Sequence, residues 1–141
     1  MTSEMPSLLL DTHTAIWLVE DKPLAQTAVD AMDEAYQSNS ALLVSPITAW
    51  EIGLLISRRR IDLAATPQRW FRGLLATPGM QLAELSSDIL IAASFLPGNP
   101  PRDPADRILL ATARDVGATL VTRDRALLHY GEDGHVSTIE C

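Results

Sequence analysis

Short apolar runs alternate along this chain with longer segments whose apolar residues recur at helical spacing. "SLLL" (7–10), "ALLVS" (41–45), "MQLAEL" (80–85) and "ATLVT" (118–122) read as strands, and "VSTIE" (136–140) as a fifth. Between them the pattern predicts a short helix from about Thr12 and a helix over 24–38 that Pro23 is placed to start. Further helices are expected at 47–59, 66–77, 86–96 and 103–117, with another short one after Asp124 and a loop at "PGNPP" (97–101). Strands separated by helices imply a mainly parallel sheet, and runs such as "LLL" suit strands covered on both faces. An open sheet of this kind carries its site at the carboxyl ends of the strands, where the strand order reverses.

Two acids fall at such ends. Asp11 closes the first strand, and Asp124 follows the fourth by two residues. Each has an ordinary explanation as the cap of the helix that comes next. Glu51 has none. On a helix turning 100° per residue, it falls within about 80° of Ile47, Leu54 and Leu55, inside the apolar arc. A buried carboxylate there is costly unless paired, by Arg58 on the same face or by a cation. In "DPAD" (103–106), Asp103 is a complete helix cap with Pro104 at the first turn. Asp106 instead projects on the apolar side at the helix N-terminus, where the macrodipole tolerates it, and is the better ligand of the two.

One shared cause explains these four positions better than four separate ones. Asp11, Glu51, Asp106 and Asp124 are expected to meet in one pocket and to hold a metal. Oxygen donors without a His or Cys pattern select a hard ion, Mg²⁺ or Mn²⁺. His13 either lines that site or sits apart from it; His129 and His135 show no ligand spacing.

Composition sharpens this picture in one respect. The 141 residues carry a net charge of -7, which argues against indiscriminate nucleic-acid binding. Yet the ten arginines all lie in 58–125, against seven acids, whereas 1–57 hold only Lys22 against eight acids. A local cationic surface is therefore available. Arg58, Arg59 and Arg60, with Arg107 and Arg123, are candidates to hold a phosphate backbone. Trp70 and Phe71, beside Arg69 and Arg72, are candidates to stack on bases or to pack in the core. The length suits one domain, 1–141, and no apolar run spans a bilayer. The start "MTSEMPS" has no basic leader and Cys141 is the single cysteine, so a cytoplasmic protein without intrachain disulfides is expected.

Three segments, "LLLDTHTAIWLV", "SPITAWEIGLLISRRRI" and "DPADRILLATARDVGATLVTRD", in this order and spacing resemble the PIN-domain family. Within it they are similar to the VapC-type toxin ribonucleases of prokaryotic toxin–antitoxin pairs. The resemblance implies an α/β/α sandwich and places the family's acidic quartet on Asp11, Glu51, Asp106 and Asp124. Thr12 and Thr122 match the hydroxyl positions beside the first and last acids. It further implies Mg²⁺- or Mn²⁺-dependent cleavage of RNA, a small antitoxin partner that carries the DNA-binding part, and a homodimer. Ala105 departs from the pattern, standing where such toxins often carry a bulky aromatic; "PGNPP" replaces a common His-containing approach, which bears on the role of Asp103. Alternatives are a PIN nuclease acting on DNA or in RNA processing, and a non-catalytic PIN interaction module. An aspartyl-phosphate enzyme would need a lysine near the late strands, and Lys22 is the only lysine.

Overall fold

The computed structural model describes residues 7–141; most of the "MTSEMPS" reading falls on 1–6, outside the described residues. Five strands, β1 (Leu8–Leu10), β2 (Leu42–Val44), β3 (Met80–Leu82), β4 (Thr119–Thr122) and β5 (Ser137–Glu140), form one sheet in the order β3-β2-β1-β4-β5. Every pairing is parallel, with Leu9 beside Leu43 on one side and Leu120 on the other. The chain first builds outward from β1 through β2 to β3, then crosses back to place β4 on the other flank. The strand order thus reverses between β1 and β4.

Helices α1 (Thr12–Val19), α2 (Gln26–Gln37), α3 (Pro46–Ser57), α4 (Pro67–Leu75), α5 (Ser87–Ala92), α6 (Pro104–Val116) and α7 (Arg125–Glu132) cover the sheet. Successive strand residues point to opposite faces, and the two cores divide accordingly. Leu8, Leu10, Leu42, Val44 and Val121 pack with Ala15, Met32, Ile52, Trp70 and Leu74 of α1 to α4. Leu9 and Leu120 pack with Leu109, Leu110, Leu127 and Tyr130 of α6 and α7. This is the expected α/β/α sandwich, with β1 and β4 buried throughout and the edge strands β3 and β5 largely open to solvent. Among the described residues no helix is long and apolar enough to cross a membrane.

Local chemistry accounts for most boundaries. Ser45, Thr66, Ser86 and Asp103 cap α3, α4, α5 and α6, and Pro occupies the first turn of α3, α4 and α6. Gly117 ends α6 in the left-handed region at φ 68°. Two expectations are corrected. The second helix begins at Gln26 rather than beside Pro23, because Ala25 N–H bonds Cys141 O (2.9 Å) and holds 23–25 extended. The third strand stops at Leu82, since Ala83 N–H gives the last ladder bond, to Val44 O, at 2.8 Å.

Two candidate contact residues belong to the scaffold instead. Trp70 is 6% exposed and lies in the core, against which half-buried Phe71 packs, so Trp70 offers no free ring face to a base. Arg107 donates to Ala93 O (2.8 Å), Pro101 O (3.2 Å) and Ser94 O (3.3 Å). Its guanidinium ties the end of α5 to the "PGNPP" loop, which Tyr130 also holds through Pro97 O (2.6 Å). The approach to Asp103 is fixed from both ends, and Arg107 is not offered as a phosphate contact.

The seam between α7 and β5 gives a sharp stability test. A Cβ on Gly131 would stand 2.7 Å from both Oγ1 and Cγ2 of Thr138. Glycine to alanine inside a helix ordinarily stabilises by about 1 kcal/mol. Here overpacking, typically about 1–3 kcal/mol, acts against that gain. Gly131→Ala is expected to lower the urea midpoint, and adding Thr138→Ala to restore it; a raised midpoint in the single variant would contradict this packing.

Candidate active site

The reversal between β1 and β4 brings two strand ends together, and each delivers an acid. Asp11 follows β1 and is 8% exposed; Asp124 follows β4 at the start of α7 and is exposed. Glu51 reaches the same place from the second turn of α3, and Asp106 from the first turn of α6. All four line one cavity of about 400 Å³, together with Asp103, His13, Trp17 and Arg123. Residues spread from position 11 to position 124 thus share one space.

Capping and lining are both true of several acids. Asp11 Oδ1 accepts from Thr12 N–H (2.7 Å), Asp103 Oδ1 from Asp106 N–H (3.0 Å) and Asp124 Oδ1 from Leu127 N–H (3.1 Å). In each case the second carboxylate oxygen is not used by the cap. For Asp11 that oxygen accepts from Thr122 Oγ1 at 2.7 Å, and Thr122 Oγ1 in turn accepts from Asp124 N–H at 3.0 Å. One hydroxyl therefore sets the spacing of the two strand-end acids. Thr12 Oγ1 donates to Glu51 Oε1 at 2.5 Å and meets Thr48 Oγ1 at 3.2 Å. With the Thr12 proton directed at Glu51, Thr48 is the donor of that pair. Thr12 and Thr122 are thus the two groups that orient the carboxylates. Thr48 was missed in the sequence, although its place one turn before Glu51 on α3 was a usable signal.

No arginine pairs with these acids among the described residues. Glu51 is not bridged to Arg58, and the three ion pairs there are Arg125–Glu140, His129–Glu132 and His129–Asp133, all on the surface. Arg123 lies against the cavity but is held elsewhere. Its guanidinium donates to Cys141 O (2.7 Å) and stacks 4.2 Å over the Trp17 ring. The acids are therefore left to one another. Burial raises the pKa of Asp11, partly offset by its bonds to Thr122 and Thr12 and by the nearby His13. Burial likewise raises that of Glu51, against the Thr12 bond, with Asp11 and Asp103 adding to the rise. Asp106 is pushed from 3.8 up to about 7, by burial first and then by the charges of Asp103, Asp11, Asp124 and Glu51. Like charges on a shared cavity produce this signature.

An all-oxygen, anionic, partly desolvated donor set is what a hard divalent cation takes. The acids do not form a closed cage: among the described residues no three His, Cys, Asp or Glu side chains are grouped tightly enough to hold an ion directly. An ion such as Mg²⁺ keeps several waters and needs only one or two direct carboxylates. The donor chemistry fits an open site of that type.

The PIN domain model matches residues 8–133. Ribonuclease VapC22 of Mycobacterium tuberculosis is 34% identical over 124 residues, covering 87% of this chain and 91% of that protein. In fold, the chain is similar to VapBC2 from Rickettsia felis bound to a promoter DNA fragment (TM-score 0.67, 13% identity, 95% of this chain and 98% of that one). It is also similar to DNA-bound VapBC from Salmonella typhimurium (TM-score 0.65, 19% identity, 96% and 98%). The chain belongs to the PIN-domain family.

A pH dependence follows from the raised carboxylates. An acid whose pKa rises on folding keeps its proton in the folded chain where the unfolded chain has already lost it. Its stabilising effect is present on the acid side and is lost as pH rises from 3.8 through about 7. Without divalent ions, the melting temperature should fall as pH rises from about 5 to about 8. Asp106→Asn should melt above the parent chain at the upper end, with the gap closing toward the lower. A parent melting temperature that climbs over that interval would refute the electrostatic account.

Proposed function

We propose that this protein is a metal-dependent endoribonuclease, the toxin of a VapBC-like type II toxin–antitoxin system. The observation that carries the reading is the joint lining of one cavity by Asp11, Glu51, Asp106 and Asp124 at the switch point of the sheet. Family membership and the similarity to a VapC ribonuclease over most of the chain support it. A non-catalytic module would have no reason to leave four acids unneutralised in one cavity.

The four carboxylates are assigned to Mg²⁺ or Mn²⁺, with Asp11 and Asp106 as primary ligands and Asp103 at the rim. When bound, such an ion supplies Lewis-acid chemistry: it offsets phosphate charge and acidifies water. The chain itself supplies order. Thr122 fixes one Asp11 oxygen, Thr12 fixes one Glu51 oxygen, and neither acid has to reorient when substrate arrives. Arg123, stacked on Trp17, offers a fixed positive charge to an incoming phosphodiester without collapsing onto the acids. Hydrolysis then joins a water oxygen to phosphorus and breaks a P–O bond, with the proton leaving on the departing ribose oxygen.

An antitoxin that covers this cavity, and a second copy of the chain, complete the reading. The solved complexes similar in fold are toxin–antitoxin pairs, VapBC and FitAcB among them, which supports the first. For the second, α5 exposes Ile91 (59%) and Phe95 follows at 79%, an apolar strip suited to a partner chain. The work of such a toxin is placed in the cytoplasm, where its RNA substrates are.

Purified protein should cleave members of an RNA panel in Mg²⁺ or Mn²⁺, stop with EDTA, and resume when the ion is returned. Loss of an outer partner of a metal ligand costs about 10–100-fold. Asp11→Asn and Asp106→Asn should therefore each cost at least about 100-fold while the circular dichroism spectrum is unchanged. Undiminished cleavage by either variant would end the assignment.

A further inference from the structure

Beside the carboxylate cavity, and sharing Glu51 and Asp103 with it, lies a second cleft of about 360 Å³. Leu54, Leu55 and Ala105 form its apolar part, and Trp50, Arg58 and Arg60 line it as well. Trp50 is 55% exposed, unusual for the largest apolar side chain, and among the described residues the two arginines carry no ion pair although Glu51 and Asp103 are in the same cleft.

The way α3 ends explains how a run of three arginines is sorted. Arg59 N–H bonds Ile56 O (3.0 Å) and Arg60 N–H bonds Leu55 O (2.8 Å), the paired bonds of a Schellman stop. Such a stop requires a left-handed residue, normally glycine, and here it is Arg59 at φ 55°. The reversal leaves Arg58 and Arg60 on the cleft and excludes Arg59 from it; Arg59 lines a separate depression with Ile56, Ile61 and Asp62, which Arg60 also borders. Attraction to the helix C-terminus accounts for one cation here. It accounts neither for two in one cleft nor for a solvent-exposed tryptophan in the same cleft.

We propose that this cleft binds the stretch of single-stranded RNA next to the scissile phosphate, with Arg58 and Arg60 on backbone phosphates and Trp50 stacked on an unpaired base. The inference deepens the ribonuclease reading and rests on it. Stacking needs a base free of its helix, so the cleft selects loops or single strands over duplex. Apolar walls and two cations give what a nucleotide requires, a ring platform and charge for its phosphate. Continuity through Glu51 and Asp103 carries the strand directly into the acidic cavity.

The test is binding of a fluorescein-labelled single-stranded RNA decamer to the full chain in EDTA, followed by anisotropy across a range of salt. Each phosphate contact on a single strand contributes about 0.7 to the slope of log affinity against log salt. Arg58→Ala and Arg60→Ala should each lower that slope by about this amount. Arg59→Gly should leave it unchanged and, by relieving the left-handed strain, raise the melting temperature. Trp50→Ala should weaken binding at least about fivefold and Trp50→Phe much less. A decamer annealed to its complement should bind less tightly than the single strand. Arg59→Gly as harmful as Arg58→Ala, equal binding of the duplex, or Trp50 and Arg58 variants that bind RNA like the parent would overturn the proposal; the last would assign the cleft to a protein partner. Because nothing is cleaved in EDTA, the two readings fail separately. Metal-dependent cleavage with indifferent cleft variants sinks the cleft alone, whereas the predicted binding pattern without any cleavage sinks the nuclease.

Discussion

A nearly buried carboxylate at the crossing point of a parallel sheet has to be held by something, and in this protein Thr122 holds it. Its hydroxyl bridges the end of β4 to Asp11 at the end of β1, and accepts the Asp124 amide at the same time. Parallel pairing of β1 with β4 sets this geometry, since Leu10 lies opposite Val121 and Asp11, just past β1, comes beside Thr122, the last residue of β4. Removing the hydroxyl would leave an Asp11 oxygen in a space with 8% exposure and no donor, a loss on the scale of about 1–3 kcal/mol. The site is thus secured by the same register that secures the sheet. Thr12 and Thr48 extend the device to α3, so two strands and one helix are locked around the acids through hydroxyls rather than through cations.

That choice of partner has an electrostatic consequence. A hydroxyl orients a carboxylate without cancelling its charge, whereas an arginine would do both. Burial first, and the neighbouring acids after it, raise the pKa values of Asp11, Glu51 and Asp106, the last to about 7. The unfavourable repulsion is tolerated because α6 presents its N-terminal dipole to Asp106 and because the rest of the sandwich is well packed. The arginine that lines the cavity, Arg123, is kept off the acids by a carbonyl and the Trp17 ring, and Arg107 on α6 is engaged by three carbonyls. A negative cavity with restrained positive charges around it is suited to a divalent ion and a phosphate together, and poorly suited to either one alone.

How far the sequence revealed this differs from residue to residue. The strands and most helix starts were legible because their causes are local: apolar runs for β1 and β4, and a Ser, Thr or Asp followed by Pro for α3, α4 and α6. Glu51 was legible from helical phase alone. The start of α2 was not, because the bond that delays it comes from Cys141, more than a hundred residues away. The fate of Arg107 was hidden for the same reason, being settled by tertiary partners, whereas the core position of Trp70 is one of the two readings its sequence context supports. The alternative between a capping acid and a lining acid was badly posed. A carboxylate has two oxygens, and at Asp11, Asp103 and Asp124 the cap occupies one of them.

The tri-arginine run carries this lesson furthest. Read as a string, Arg58-Arg59-Arg60 is one block of charge on the surface of an acidic protein. In the fold it is two arginines on one cleft and a third turned away by a left-handed backbone. Arginine in that conformation is costlier than glycine by roughly 1 kcal/mol, and a glycine there would hold the same stop. Charge composition therefore says that cations are present, and only the helix stop says where they act. Arg58 and Arg60 share their cleft with an aromatic ring and with Glu51 and Asp103 of the acidic cavity, a placement set by backbone geometry more than by net charge.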